Sequence, residues 1–167
     1  FDGDGRMFFQ VARDGRPIRK RRYAFGESFA AHARATGSDR SAARARQLLD
    51  AFTRWNFTPG LMPPKFTDTR PAIGMGPRMI TLVTAQELRA NLGSNDHLTS
   101  WIDRCIDEIR RLFVKPDLRC VMETVAPDGA IIDHFDGRML TPGHAIEGAW
   151  FIMHEGKIRN DQDLVRL

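Results

Sequence analysis

Thr141-Pro142-Gly143-His144, followed by Glu147, sets a histidine and a carboxylate at the start of one helix. Threonine is a good N-cap and proline suits the first helical position. His144 then falls in the first turn, near free backbone N–H groups and the positive end of the helix dipole. A general base must be a neutral imidazole, and proton transfer is the chemistry these residue types suit. Glu147 lies three residues on and shares a face with His144. His154 falls near that face two turns later, with Phe151 between. Ile146, Ala149, Trp150 and Met153 form an apolar backing on the other side. His-x-x-Glu is not the His-Glu-x-x-His zinc pattern and no third ligand is obvious, so no metal is expected.

The elements around this helix follow from periodicity and turn chemistry. The opening DGRMFFQVARDGRPI reads as a β-hairpin, strand-like over Met7 to Val11 with a turn at Arg13-Asp14-Gly15. A helix is expected from Phe25 to Ala35, with Phe25, Phe29 and Ala33 recurring every four residues and Gly37 past its end. Ser38 would cap the next, whose buried stripe is Ala42, Ala45, Leu49, Phe52 and Trp55. NFTPGLMPPKFTDTRPAIGMG, with four prolines, reads as a long loop. Helices follow over Pro77 to Leu92 and Asp96 to Phe113, the second lined by Leu98, Ile102, Cys105, Ile109 and Leu112. Pro127-Asp128-Gly129 marks a turn between two strand-like runs. The sum is about five helices, one unfinished, with two small hairpins: an all-α architecture of helical hairpins.

Composition excludes more than it identifies. The 167 residues suffice for one domain with a core. No apolar run approaches membrane-spanning length, so no membrane is expected. Cys105 and Cys120 give neither a disulfide framework nor metal spacing, and a reducing cytoplasm is the default compartment. The net charge is +4, and RPIRKRRYAF concentrates five basic residues between Arg16 and Arg22. We read that run as a solvated loop; with no zinc ligands, helix-turn-helix pattern or RNA-binding aromatic motif beside it, no nucleic-acid partner is expected. The chain opens on Phe1, and NDQDLVRL looks like the start of a helix capped by Asn160 or Asp161. An interior segment of a longer polypeptide is therefore expected.

One family matches this pattern. METVAPDGAIIDHFDGRMLTPGHAIEGAWFIMHEG resembles the central signature of the N-acylglucosamine 2-epimerase family: a glutamate (Glu123), a Pro-Asp-Gly turn, Gly137-Arg138, then Pro-Gly-His-x-x-Glu-x-x-Trp-Phe. DGDGRMFFQVARDGRPIRKRRYAFGESFAAHARATG resembles the family's hairpin and the helix that follows, and RMITLVTAQELR its next inner helix. The resemblance covers essentially the whole chain but only part of the longer family domain. It implies that residues 1–167 form a middle arc of an (α/α)6 barrel, a toroid of helical hairpins, decorated by the two β-hairpins.

It also implies an activity: interconversion of N-acylglucosamine and N-acylmannosamine, or related aldoses, by proton abstraction at C2 through an enediolate. His144 is one of the two histidines the family uses, with Glu147 orienting it or binding a substrate hydroxyl. Glu27 matches an acidic position, Arg78 sits where relatives place substrate-facing residues, and Arg138 touches sugar or anchors the loop. The second histidine has no counterpart here; His32, His97 and His134 lie in no matching motif, and His154 is roughly 15 Å away by helical rise. These 167 residues alone are therefore expected to be inactive. No cofactor is implied beyond a nucleotide as a regulator, and the partner is a small sugar; a homodimer is compatible with the resemblance. The same scaffold could instead carry an aldose–ketose isomerase, a cellobiose 2-epimerase or a non-catalytic carbohydrate-binding or regulatory protein.

Overall fold

The computed structural model describes residues 1–20, 24–35, 39–62 and 69–167. Helices dominate it. Strands β1 (Gln10–Val11) and β2 (Pro17–Arg19) open the chain, followed by α1 (Phe25–Ala35) and α2 (Asp39–Phe57). Then come β3 (Ile73–Gly74), α3 (Gly76–Leu92) and α4 (Asp96–Glu108), which runs into a π-helical turn at Ile109–Phe113. Strands β4 (Val114–Lys115), β5 (Cys120–Val121) and β6 (Thr124–Val125) precede the short α5 (Phe135–Arg138), then α6 (Pro142–Arg159) and α7 (Gln162–Arg166). Helices pack in sequence order, α1 on α2, α3 on α4 and α6 on α7, and α3 also meets α1, α2 and α6.

Apolar spacing explains the core. Leu48, Leu49 and Phe52 of α2, Leu82, Ala85 and Leu88 of α3, and Leu98, Ile102 and Cys105 of α4 are all buried. Asn95 starts α4, its side-chain carbonyl accepting the N–H of Leu98 at 2.9 Å, and Asp161 does the same for α7. Gly93, at φ 84°, stops α3 where a side chain would be strained.

Several expectations change. The first helix keeps its predicted limits but not its whole predicted stripe: Phe25 is half-buried with its ring 5.7 Å from that of Phe52, Phe29 is 67% exposed, and Glu27, Ser28 and Ala31 are buried. The Pro-Asp-Gly turn forms, with Gly129 at φ 89° and its N–H bonded to Ala126 O, but its flanking runs do not pair as a hairpin. β6 instead pairs antiparallel with β3, out of the expected loop, and β5 pairs with β4. The opening hairpin is shorter than Met7 to Val11 and its register shifts at Gln10/Val11. The helix expected to run from Asp96 to Phe113 changes character at Ile109, where the Val114 N–H reaches back to Ile109 O. The expectations at Gly37 and Ser38, and the basic pair Arg21 and Arg22, fall outside the described residues. Lys20, from the same basic run, is tied to Asp2 and Asp4 at 2.5 and 2.6 Å. Among the described residues no helix is long and apolar enough to cross a membrane.

Candidate active site

α6 begins at Pro142 as expected, but the Thr141 hydroxyl makes no capping bond; the Thr141 carbonyl accepts the N–H of Ala145 at 3.1 Å. His144 is in the first turn with its side chain 44% exposed. Its Nδ1 lies 2.9 Å from Oε2 of Glu123. A carboxylate only accepts, so the imidazole donates Nδ1–H, and in the neutral ring that leaves the lone pair on Nε2.

Glu123 sits between β5 and β6, flanked by Met122 and Thr124, both buried. Its carbonyl accepts the Met75 N–H at 3.0 Å, at the junction of β3 and α3. The Met75 side chain packs under α6: a Cβ on Gly148 would stand 3.6 Å from the Met75 Cε. Met75 thus touches both the bend that carries Glu123 and the helix that carries His144.

Glu147 is exposed and forms no hydrogen bond or ion pair among the described residues. The carboxylate that holds the imidazole is therefore Glu123, 21 residues upstream. The sequence quotes it within the METV run, yet periodicity and local spacing cannot reveal a pairing made by tertiary folding. The apolar backing expected on α6 is corrected too. Ile146 and Trp150 are 71% and 56% exposed, and the buried side is Gly148, Phe151, Ile152, Glu155 and Gly156. Trp150 stacks on His154, their ring centroids 5.9 Å apart.

The other predicted residues are engaged elsewhere. Arg78 gives Nε to Glu108 at 2.8 Å and Nη1 to the Gly74 carbonyl at 3.1 Å, over the rings of Phe57 and Phe113. Glu27 is buried in α1; burial pushes its carboxyl above the ordinary glutamate value, and Oε1 accepts the Met7 N–H at 2.5 Å. Arg138 is exposed and paired with Asp133 in its own loop. Among the described residues no hydrogen bond or ion pair joins Glu27, Arg78 or Arg138 to His144, and no three His, Cys, Asp or Glu side chains are grouped to hold a metal.

Comparison with known proteins gives one family. Residues 2–166 match N-acylglucosamine 2-epimerase (GlcNAc 2-epimerase). Three proteins named N-acylglucosamine 2-epimerase are similar to this chain. Those of Homo sapiens and Bos taurus are 29% identical to it and that of Mus musculus 28%, each alignment covering 93% of this chain. The chain spans only 38–39% of the length of those relatives.

Proposed function

The chain belongs to the N-acylglucosamine 2-epimerase family, and from that membership we propose that it supplies the His144 half of a sugar 2-epimerase site. The observation that carries the reading is the His144 imidazole in the first turn of α6, inside the PGHAIE run, with Nδ1 held and its side chain half-open to solvent.

An open-chain sugar presents a carbonyl at C1, which acidifies the proton on C2. His144 Nε2 takes that proton. The C2–H electron pair forms a C1–C2 double bond and the carbonyl π pair moves onto O1, giving an enolate for an N-acyl sugar and an enediolate where C2 carries a hydroxyl. A proton returned to the opposite face of C2 completes the inversion. Each positioned acid or base contributes roughly 10²- to 10⁴-fold. Only protons move, so the reaction as written needs no redox cofactor. Glu147, exposed and without a partner among the described residues, binds a substrate hydroxyl. The second histidine comes from outside these 167 residues, which on their own are inactive. The helices form an arc of an (α/α)6 barrel, a placement supported by their sequential pairing and by the contacts of α3 with both α1 and α6. Two free cysteines suit a reducing cytoplasm.

The test is hydrogen exchange at C2. The natural polypeptide is incubated in D₂O with N-acetylmannosamine, mannose or cellobiose, beside a His144→Ala variant, and C2–H is followed by proton NMR. Deuterium entering one sugar, and lost in the variant, establishes the reaction and names the substrate. A folded protein that exchanges none of them is a carbohydrate-binding or regulatory protein on this scaffold.

A further inference from the structure

We propose that Glu123 is the positioning residue for His144: its carboxylate accepts Nδ1–H, fixes the tautomer with the lone pair on Nε2, and aims that nitrogen at substrate. The proposal rests on the reading of His144 as the base at C2.

Four observations converge on it. The first is chemical. An acceptor-only group 2.9 Å from Nδ1 admits one neutral tautomer, and that tautomer is basic at the ring's other nitrogen. The second is rigidity. The Glu123 side chain is 15% exposed, its neighbours Met122 and Thr124 are buried, and its carbonyl is bonded to Met75 N. A backbone so held limits how far the carboxylate can follow the ring. The third is the shared reference point. Met75 anchors the Glu123 backbone through its amide and, with Met79, supports α6 at Gly148, one turn beyond His144, so the donor and the acceptor are both referred to the start of α3. The fourth is the absence of a rival: Glu147, the nearer carboxylate in sequence, is exposed and does not bond the ring among the described residues.

The experiment uses the natural polypeptide with ¹⁵N-labelled histidine. Imidazole ¹H–¹⁵N correlations of His144, assigned by its absence in His144→Ala, report which nitrogen bears the hydrogen. They are recorded for the wild type, Glu123→Gln and Glu123→Ala, with C2–H exchange and thermal unfolding measured on the same samples. The wild type should show Nδ1–H. Glu123→Ala should give mixed tautomers and lose roughly 10- to 100-fold in exchange rate, with KM little changed. Glu123→Gln, whose amide oxygen can accept the same hydrogen, should recover part of both. Gln also keeps the shape of Glu, so its unfolding profile separates a positioning effect from misfolding. A wild type with hydrogen on Nε2 overturns the proposal, as does a folded Glu123→Ala protein with unaltered tautomer. If the wild type exchanges no sugar, the epimerase reading fails, and the tautomer shift alone decides whether Glu123 sets the ring.

Discussion

Arg89 and Glu155 meet as a bidentate pair across α3 and α6, with Nη1 to Oε1 at 2.8 Å and Nη2 to Oε2 at 2.6 Å. Gln86 adds a third bond at 3.0 Å, and Arg159 a fourth at 2.5 Å, its other nitrogen reaching Asp103. Glu155 is fully buried. Burial alone pushes its carboxyl pKa up, but the bonds from Arg89, Gln86 and Arg159 outweigh that and hold it at about 2, below the ordinary 4.5. A folded value below the unfolded one stabilises the fold above the unfolded pKa and is lost as acid titrates the group. The melting temperature should therefore fall as pH drops from about 4.5 toward about 2. Glu155→Ala should flatten that fall and cost about 3 kcal/mol at neutral pH, because it leaves two arginines facing a void. Calorimetric scans across pH check both.

Glu147 should behave differently. It is exposed and makes no hydrogen bond or ion pair among the described residues, so Glu147→Gln should change stability by less than about 0.5 kcal/mol. Exchange at C2 should nevertheless drop by about tenfold, read as kcat/KM on the sugar that the wild type accepts. Unchanged exchange would remove Glu147 from the site.

Three glycines separate close packing from open space. A Cβ on Gly137 would lie 2.3 Å from the Ile132 carbonyl oxygen, and one on Gly156 2.9 Å from Asp161 O and Val165 N. Backbone cannot retreat as a side chain can, so Gly137→Ala and Gly156→Ala should each destabilise by about 1–3 kcal/mol in urea unfolding. Gly143→Ala meets nothing within 4 Å and should be neutral or slightly stabilising.

The thiols should also separate. Burial, reinforced by the Glu108 carboxylate, pushes the Cys105 thiol up to about 12. Cys120 is only half-buried. Under native conditions a thiol reagent should modify Cys120 first, and Cys105 should react only as fast as the fold opens. Mass spectrometry of timed aliquots distinguishes the two.

How much of this is legible in the sequence depends on the range of the interaction. Helix limits are local: Phe25 to Ala35 and the Pro142 start follow from periodicity and proline. The face a helix buries is not local. On α1 Phe25 and Phe29 recur at helical spacing, yet only Phe25 turns inward, against Phe52, and Ser28 and Ala31 are buried while Phe29 is exposed. β3 and β6 have two residues each, too few to show alternation, and they lie about fifty positions apart in the chain. The Glu123–His144 bond depends on that pairing, so it is invisible until the strands meet. The family resemblance points to His144 without showing which carboxylate holds it.

Met75 divides its duties by chemical group. Its amide secures Glu123, while its thioether end supports α6. An amide is common to every residue except proline, so sequence drift at this position can re-seat the helix while the carboxylate's anchor stays intact. The fine placement of the His144 imidazole is thereby free to evolve, by one side chain at a time, without dismantling its bond to Glu123.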